Sequence, residues 1–227
     1  MTFSSSFQPT QKTLGISLPP VLYHLTRETN WPFIEQHGLL STQALLDLAG
    51  LHGIERETLE HRHRAEHVVL PNGVVISDQK PMPPTALARC LHEVTPEQWY
   101  TLLNSKVFFW LDTERLSRLR RVYRAIPQIV MSIDTEQLLA RYAEQTTLTP
   151  INTGNARRQP AQRGLCTFVP YKTWLKSGWT SETEALNTRP RLRSHPAAEL
   201  TVAYAVPDVM DFVVDVRRLD MNELWHF

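Results

Sequence analysis

Three groups of side chains, far apart in the sequence, could together act on a ribosyl bond. Glu199 begins an apolar run of strand type, Tyr23 and His24 lie in an apolar run near the N-terminus, and Arg62 and Arg64 lie between them. A carboxylate can balance the positive charge that develops as an N-glycosidic bond to ribose breaks, and can help to deprotonate the nucleophile. Arginine can hold a pyrophosphate, histidine can bond a ribose hydroxyl, and an aromatic ring can stack on nicotinamide. This combination fits cleavage of NAD between nicotinamide and ribose.

Each group also has an ordinary structural explanation. Charged residues are mostly exposed, so a glutamate at a strand start is commonly an edge residue. A histidine on an apolar strand is commonly a hydrogen-bonded part of the core. The charged stretch 55–67, which contains Arg62 and Arg64, is by default a solvated helix. Both sets of explanations stay open from the sequence.

Other kinds of chemistry lack their sequence patterns. His61, His63 and His67 have spacings that suit a metal, and His63 and His67 would share a helical face. However, no zincin pattern and no cysteine pair accompanies them, and the intervening arginines oppose a dication, so we predict no metal site. The eight glycines form no Gly-x-Gly, which argues against P-loop and Rossmann sites, and there is no Gly-x-Ser-x-Gly.

The segment 148–180 is predicted to be a long irregular loop, and loops of that length are often functional. Its amides and guanidinium groups suit phosphates or base edges, and its tryptophans, which lie beside lysines, could stack on bases or pack the loop. The predicted acceptor-binding residues are Asn152, Asn155, Arg157, Arg158, Trp174 and Trp179.

Composition and net charge limit the classes of protein to which this chain could belong. The 227 residues carry a net charge of +1, so any contact with nucleic acid must come from a local basic patch. The two cysteines suit a reducing compartment, and neither a signal peptide nor a membrane span is evident. We therefore expect a cytoplasmic protein with a flexible segment 1–19 and one domain over 20–227.

Local signals predict short helices and strands in irregular order. Asn30 can cap a helix that ends at Gly38, Thr95 opens a capping box, and Asp112 and Asp134 can cap two more helices. Pro-Asn-Gly at 71–73, between two apolar runs, predicts a hairpin. Mixed helices and strands with at least one hairpin indicate an α+β fold.

Three stretches resemble the DarT-like ADP-ribosyltransferases. Residues 21–41 resemble that family's opening Tyr-His-Ile-Thr strand and the helix ending in Gly-Leu, residues 62–68 its Arg-Arg segment, and residues 198–202 its C-terminal Glu strand. The likeness is closest to an uncharacterised bacterial family with a Tyr-His-Leu-Thr start and an Asn-Thr-Gly-Asn-Ala-Arg-Arg loop. The family's aromatic-Pro-aromatic stretch is not evident, since residues 76–82 occupy its place, which leaves the acceptor open.

The resemblance implies a fold, an activity and a set of site residues. It implies a single ADP-ribosyltransferase-like α+β domain, with mostly antiparallel central sheets flanked by short helices. Glu199 would be catalytic in a mono-ADP-ribosyltransferase that uses NAD as substrate without a metal, and a DNA or RNA base is a candidate acceptor. The NAD-contacting side chains would be His24, Tyr23, Thr26 and either Arg62 or Arg64. The alternatives are a nucleic-acid- or protein-binding module and an RNA 2′-phosphotransferase-like enzyme. The biological role, for example in a toxin or in defence, and the oligomeric state stay open.

Overall fold

The computed structural model describes residues 17–223, so the predicted flexible segment 1–19 lies outside the described residues except for its last three. The strands are β1 Val21–Arg27, β2 Leu39–Leu40, β3 Val68–Val69, β4 Val75–Ile76, β5 Lys106–Trp110, β6 Gln128–Asp134, β7 Thr146–Thr149, β8 Val169–Pro170, β9 Glu199–Ala203, β10 Ala205–Val206 and β11 Val213–Leu219. The α-helices are α1 Trp31–His37, α2 Thr42–Leu48, α3 Gly53–His61, α4 Pro84–Ala88, α5 Pro96–Asn104, α6 Thr113–Val122, α7 Thr135–Tyr142, α8 Tyr171–Ser177 and α9 Thr180–Ala185.

Seven strands form one sheet in the order β11-β6-β1-β5-β9-β7-β8, and every neighbouring pair is antiparallel. Two small antiparallel pairs, β10-β2 and β3-β4, lie outside it. The expected α+β class with mostly antiparallel sheets is confirmed. The strand that begins with Glu199 lies inside the large sheet, between β5 and β7.

The large sheet is weakly joined between β1 and β5. β1 pairs with β6 along all seven of its residues, but within the described chain it pairs with β5 only where Tyr23 faces Trp110. Beyond that pair, Nδ1 of His24 donates a hydrogen bond to the Phe108 carbonyl at 2.9 Å. An imidazole thus bonds a β5 carbonyl in the region where the ladder between the two strands stops.

Helices and loops cover both sides of the sheet. Leu22, Phe109 and Leu200 belong to the main core, which also contains Trp174 and Trp179. On the other side, Tyr23 and Trp110 pack with Leu116 of α6 in a smaller cluster. Buried positions on both sides are why the central strands read as nearly continuous apolar runs.

The predicted helix starts are mostly confirmed. The side chains of Thr95, Asp112 and Asp134 each accept a hydrogen bond from the backbone N–H three residues later, and Ser41 makes the same contact at the start of α2. Thr95 and Gln98 form the full capping box. These interactions are local, so a short stretch of sequence is enough to specify them.

Asn30 does not cap its helix as predicted. Its amide nitrogen donates to the Val75 carbonyl at 2.9 Å, and its amide oxygen accepts from the Val75 N–H at 2.9 Å. The side chain therefore acts as a strand neighbour for the predicted hairpin, which is present as β3 and β4. Gly38 ends α1 with φ +71°, as predicted, and a Cβ there would lie 2.4 Å from the Pro207 carbonyl oxygen.

The charged stretch 55–67 is not one helix, because α3 ends at His61. Its last carbonyls are bonded by side chains: Nη1 of Arg64 donates to the Leu59 carbonyl at 2.6 Å, and the Asn104 amide donates to the Glu60 carbonyl at 2.7 Å. Side-chain donors satisfy carbonyls that the end of a helix leaves without a partner, and a cation there also suits the helix dipole. His63 and His67 consequently share no helical face.

The predicted irregular loop 148–180 is only partly irregular. Its long irregular stretch is 150–164, and most of the remainder lies in a 3₁₀ turn at Leu165–Thr167, in β8 and in α8. The start of α8 was missed because the residue before it, Pro170, supplies no side-chain cap. Its end at Gly178, with φ +60°, follows the usual glycine pattern.

Candidate functional site

Glu199 lies at the start of β9, in a row of side chains that crosses the sheet. Glu199 pairs with Trp110 on one side and with Thr149 on the other, and Trp110 pairs in turn with Tyr23. Residues directly opposite each other in a sheet point to the same side. The side chain of Glu199 is only 3% exposed, so it is not the exposed edge residue that its type alone would suggest.

Two threonines hold the Glu199 carboxyl group. Oε2 accepts from the Thr153 hydroxyl at 2.8 Å and is 3.0 Å from the Thr149 hydroxyl. The Thr153 N–H lies 3.3 Å from Oε1 and 3.2 Å from Oε2, so it is shared between the two oxygens. The carboxyl group is therefore fixed by a neighbouring strand and by the loop 150–164.

Burial raises the pKa of the Glu199 carboxyl, although the hydrogen bonds from Thr153 and Thr149 and the charge of Arg115 act in the opposite direction. Transfer of a carboxylate from water into a buried site penalises its charged form, and here that penalty exceeds the effect of the donors. A carboxyl group with a raised pKa is typical of groups that transfer protons.

The single hydroxyl proton of Thr149 also favours a neutral Glu199, because two acceptors lie beside that hydroxyl. The Thr149 hydroxyl lies 2.8 Å from the Ile151 carbonyl and 3.0 Å from Oε2 of Glu199. A hydroxyl has one proton to donate, and the carbonyl can only accept. Both contacts are hydrogen bonds if Thr149 donates to Ile151 and a protonated Glu199 donates to Thr149.

Arg163 supports this arrangement and was not predicted from the sequence. It is 1% exposed, and its Nη1 donates to the Thr153 carbonyl at 3.1 Å while its Nε donates to the Ala161 carbonyl at 3.1 Å. Its guanidinium carbon lies 5.9 Å from the centre of the Trp99 ring. Burial lowers the pKa of Arg163, whereas negative charge on Cys90 and Glu199 would raise it.

Neither Arg163 nor Thr153 has a sequence signal that distinguishes it. Both lie in a polar, proline-containing stretch where exposed side chains are the usual expectation. Their importance comes from the way in which the loop folds back over the strand that begins with Glu199, which is a long-range contact.

The structure places His24 and Thr26 together, but on the opposite side of the sheet from Glu199. His24 follows Tyr23 in β1 and contacts Phe109 edge-on, with ring centres 6.0 Å apart. His24 and Thr26 line a small cavity of about 80 Å³ with Asn30 and Gly38. Burial lowers the pKa of His24 and so favours the neutral imidazole.

Tyr23 is the predicted NAD-contacting residue that shares a side of the sheet with Glu199. The two residues are two strands apart, which corresponds to about 10 Å between their backbones. The predicted group is thus divided: Tyr23 and Glu199 lie on one side of the sheet, and His24 and Thr26 on the other.

Arg64 occupies a structural position. Besides the Leu59 carbonyl, its guanidinium group donates to the Ser77 carbonyl at 3.2 Å and to Oδ1 of Asn104 at 3.0 Å. Burial lowers its pKa to about 10. A guanidinium engaged in this way is poorly placed to grip a phosphate, and we correct the prediction for Arg64 on that ground.

Arg62 is the better candidate for a phosphate contact. Its side chain is exposed, and within the described residues it forms no ion pair or side-chain hydrogen bond. Its positive charge acts on Glu97 at the start of α5. Of the two alternatives left open by the sequence, Arg62 is the one with donors available.

The predicted acceptor-binding residues also divide into two groups. Asn155, Arg157 and Arg158 are exposed and Asn152 is half-buried, all within the loop that covers Glu199. Trp174 and Trp179 are 2% and 1% exposed and belong to the main core. Stacking on a base requires an accessible ring face, so the burial of both tryptophans favours the packing role, which the sequence had left open beside the acceptor role.

Two general features complete the description of the site. Among residues 17–223, no group of three or more His, Cys, Asp or Glu side chains is arranged to hold a metal ion. Over the same residues, no helix has the length and apolar character that a membrane crossing requires.

Comparison with known protein families identifies the family to which the chain belongs. The family described as "Family of unknown function (DUF7002)" matches residues 20–213. The chain belongs to this family. The DUF7002 match includes β1, the arginine segment, the loop 150–164 and β9, so all of the candidate site lies inside it. No curated protein matches the chain.

Proposed function

We propose that this domain is an NAD-dependent ADP-ribosyltransferase in which Glu199 assists cleavage of the bond between nicotinamide and ribose. The observation that carries the proposal is the buried Glu199 carboxyl group, held by Thr149 and Thr153 with a raised pKa. A preorganised carboxyl group of this kind suits the stabilisation of an oxocarbenium-like state.

The ionisation state of Glu199 would change when NAD binds. The nicotinamide ring of NAD is positively charged, and an opposite charge within a few ångströms favours the ionised form of a carboxyl group. The carboxylate would then accept a hydrogen bond from a ribose hydroxyl and balance the positive charge that grows on the ribose. After nicotinamide leaves, it could accept the proton from the attacking acceptor group.

Access to Glu199 requires movement of the loop 150–164, since Thr153 lies on the carboxyl group. Loop movements that open and close active sites are common in enzymes. Tyr23 and Trp110 would contact the substrate on the Glu199 side of the sheet. Arg62 would supply a phosphate contact, and Asn152, Asn155, Arg157 and Arg158 would meet the acceptor. On this proposal His24 and Thr26 would contact only a part of NAD that reaches the small cavity beside them.

The experiment that tests this function is incubation of the protein with labelled NAD and a panel of DNA, RNA and protein acceptors, followed by mass analysis. The proposal expects release of nicotinamide and a mass increase equal to one ADP-ribose on one acceptor class. Protein that neither binds NAD nor releases nicotinamide with any acceptor would refute it.

A second candidate, a non-enzymatic nucleic-acid- or protein-binding module, is favoured by one observation. Both Glu199 oxygens already have hydrogen-bond donors from the chain, and a purely structural carboxyl group would look the same. If this candidate is correct, the protein should bind a partner in a salt-dependent manner, and neither NAD nor Glu199→Gln should change that binding. Nicotinamide release that depends on Glu199 would exclude it.

A further inference from the structure

A second cavity lies away from Glu199, between residues 17–20, the start of α7 and the helix α8. Its volume is about 420 Å³, which falls within the range of small-molecule sites. Trp174 forms part of its buried wall, and the half-buried side chains of Leu18, Leu139, Tyr171 and Leu175 also line it. The rings of Tyr171 and Trp174 are nearly parallel, with centres 6.4 Å apart.

The cavity combines aromatic walls with negative charge. Asp134 and the exposed Glu136 lie in its lining, and no lysine, arginine or histidine is among the described residues that line it. The N-terminus of α7 would attract anions on its own, but these two carboxylates offset its partial positive charge. Positively charged groups are attracted both to carboxylates and to the faces of aromatic rings.

We propose that this cavity binds an aromatic organic cation, such as an arylalkylamine. The apolar walls take the ring, and the carboxylates of Glu136 and Asp134 face the ammonium group. NAD does not fit this description, because its two phosphates would meet two carboxylates. The site is therefore separate from the proposed function, and either can fail without the other.

Glu136 and Tyr171 provide the variants for a test. Glu136 has no side-chain hydrogen bond or ion pair within the described residues, so Glu136→Gln removes charge at little structural cost. Tyr171→Ala removes a ring from the wall. Lys176→Gln is the matched control, because Lys176 is an exposed residue of α8 that does not line the cavity.

The experiment measures binding of tryptamine and of indole-3-propionate, a similarly shaped anion, to the full chain by calorimetry at low salt. We expect tryptamine to bind at least tenfold more tightly than the anion. Glu136→Gln should weaken tryptamine binding about threefold, the effect of one partly screened charge. Tyr171→Ala should weaken it tenfold or more, and Lys176→Gln should not weaken it.

Two results would overturn the inference. One is equal binding of the cation and the anion, or no binding of either, by wild-type protein. The other is loss of tryptamine binding in Lys176→Gln to the same extent as in Tyr171→Ala. Thermal unfolding of each variant shows whether it is folded, and the charge comparison on the wild-type protein stands even if Tyr171→Ala fails to fold.

Discussion

At the scale of single residues, the central feature is Glu199, and two observations favour the neutral form of its carboxyl group. Burial raises the pKa of Glu199, and the single proton of the Thr149 hydroxyl is best used if the carboxyl group is protonated. One argument concerns solvation, and the other concerns the hydrogen bond between Thr149 and Glu199, which a protonated carboxyl group would donate. They give the carboxyl group a measurable signature that does not require the activity to be known.

The first prediction concerns pH and stability. The ordinary pKa of glutamate, 4.5, applies in the unfolded chain, and the pKa of Glu199 in the folded chain is higher. Its stabilising contribution is thus complete below pH 4.5 and is lost as pH rises through the folded-state pKa. Glu199→Gln imitates the neutral acid and does not titrate. The free energy of unfolding of the variant should therefore increase relative to that of wild type as pH rises, by at most about 1.4 kcal/mol per pH unit.

Thermal or denaturant unfolding between pH 4 and pH 8 measures this difference. The matched control is Glu184→Gln, because Glu184 is an exposed glutamate whose side chain has no bonded partner within residues 17–223. A stability difference between Glu199→Gln and wild type that stays constant across this range would show that the pKa of Glu199 is not raised.

The second prediction separates the two arginines. Arg64→Gln should lower the free energy of unfolding by about 3 kcal/mol, because three acceptors in the fold lose their charged donor. Arg62→Gln should change it by less than about 0.5 kcal/mol, since Arg62 is exposed, but should weaken NAD binding about tenfold. Calorimetric NAD titration and chemical unfolding of both variants measure the two effects. Unchanged NAD affinity in Arg62→Gln would remove Arg62 from the site.

At the scale of elements, the loop 150–164 connects the candidate site to the rest of the fold. Thr153 bonds Glu199, Arg163 bonds the Thr153 carbonyl, and the Ala156 N–H donates to the Pro81 carbonyl at 2.9 Å. The loop is therefore attached both to the strand that begins with Glu199 and to the segment that follows the hairpin. Its conformation controls the geometry and the solvation of the carboxyl group.

The third prediction concerns Arg163. Arg163→Met should lower the free energy of unfolding by about 3 kcal/mol, because buried carbonyls of the loop lose their donor. It should also raise the pKa of Glu199 further, since a nearby positive charge is removed. Chemical unfolding and a carbon-13 NMR titration of the Glu199 carboxyl measure these effects.

Arg158→Met is the control for that prediction, because Arg158 is an exposed arginine of the same loop. It should change stability by less than about 0.5 kcal/mol and leave the Glu199 titration in place. Equal effects of the two substitutions would mean that Arg163 has no special role in the loop.

Elements could be predicted where their signals are local. The caps at Thr95, Asp112 and Asp134 depend on residues three positions apart, and the hairpin depends on one turn. The end of α3 was not predicted, and the side chain that bonds its Glu60 carbonyl, Asn104, lies more than 40 residues away in the chain. The sequence left the roles of Trp174 and Trp179 open between stacking and packing for a similar reason, since their contacts with the core are long-range.

In the candidate site, too, the residues with local signals could be predicted and those placed by long-range contacts could not. Glu199 could be selected from its position at a strand start, whereas Thr153 and Arg163 could not, since they reach the carboxyl group only through the fold of the loop. Sequence spacing also could not show that His24 and Glu199 lie on opposite sides of the sheet. That result depends on the register of β1, β5 and β9.

At the scale of the whole molecule, the sheet consists of two halves joined at Tyr23 and Trp110. One half contains β11, β6 and β1, and the other contains β5, β9, β7 and β8. The cavity beside His24 and the row of side chains that includes Glu199 lie near this junction, on opposite sides. The proposed function needs a substrate that engages the junction together with movement of the loop over Glu199.

The most direct test of the central claim is release of nicotinamide from NAD by wild-type protein and by Glu199→Gln, with NAD binding measured in parallel. The account predicts that wild-type protein binds NAD and releases nicotinamide when a competent acceptor is present. Glu199→Gln should still bind NAD but release nicotinamide at least 100-fold more slowly, because the carboxylate stabilises the transition state more than the bound substrate. Equal release by the two proteins, or no NAD binding by wild type, would contradict the account.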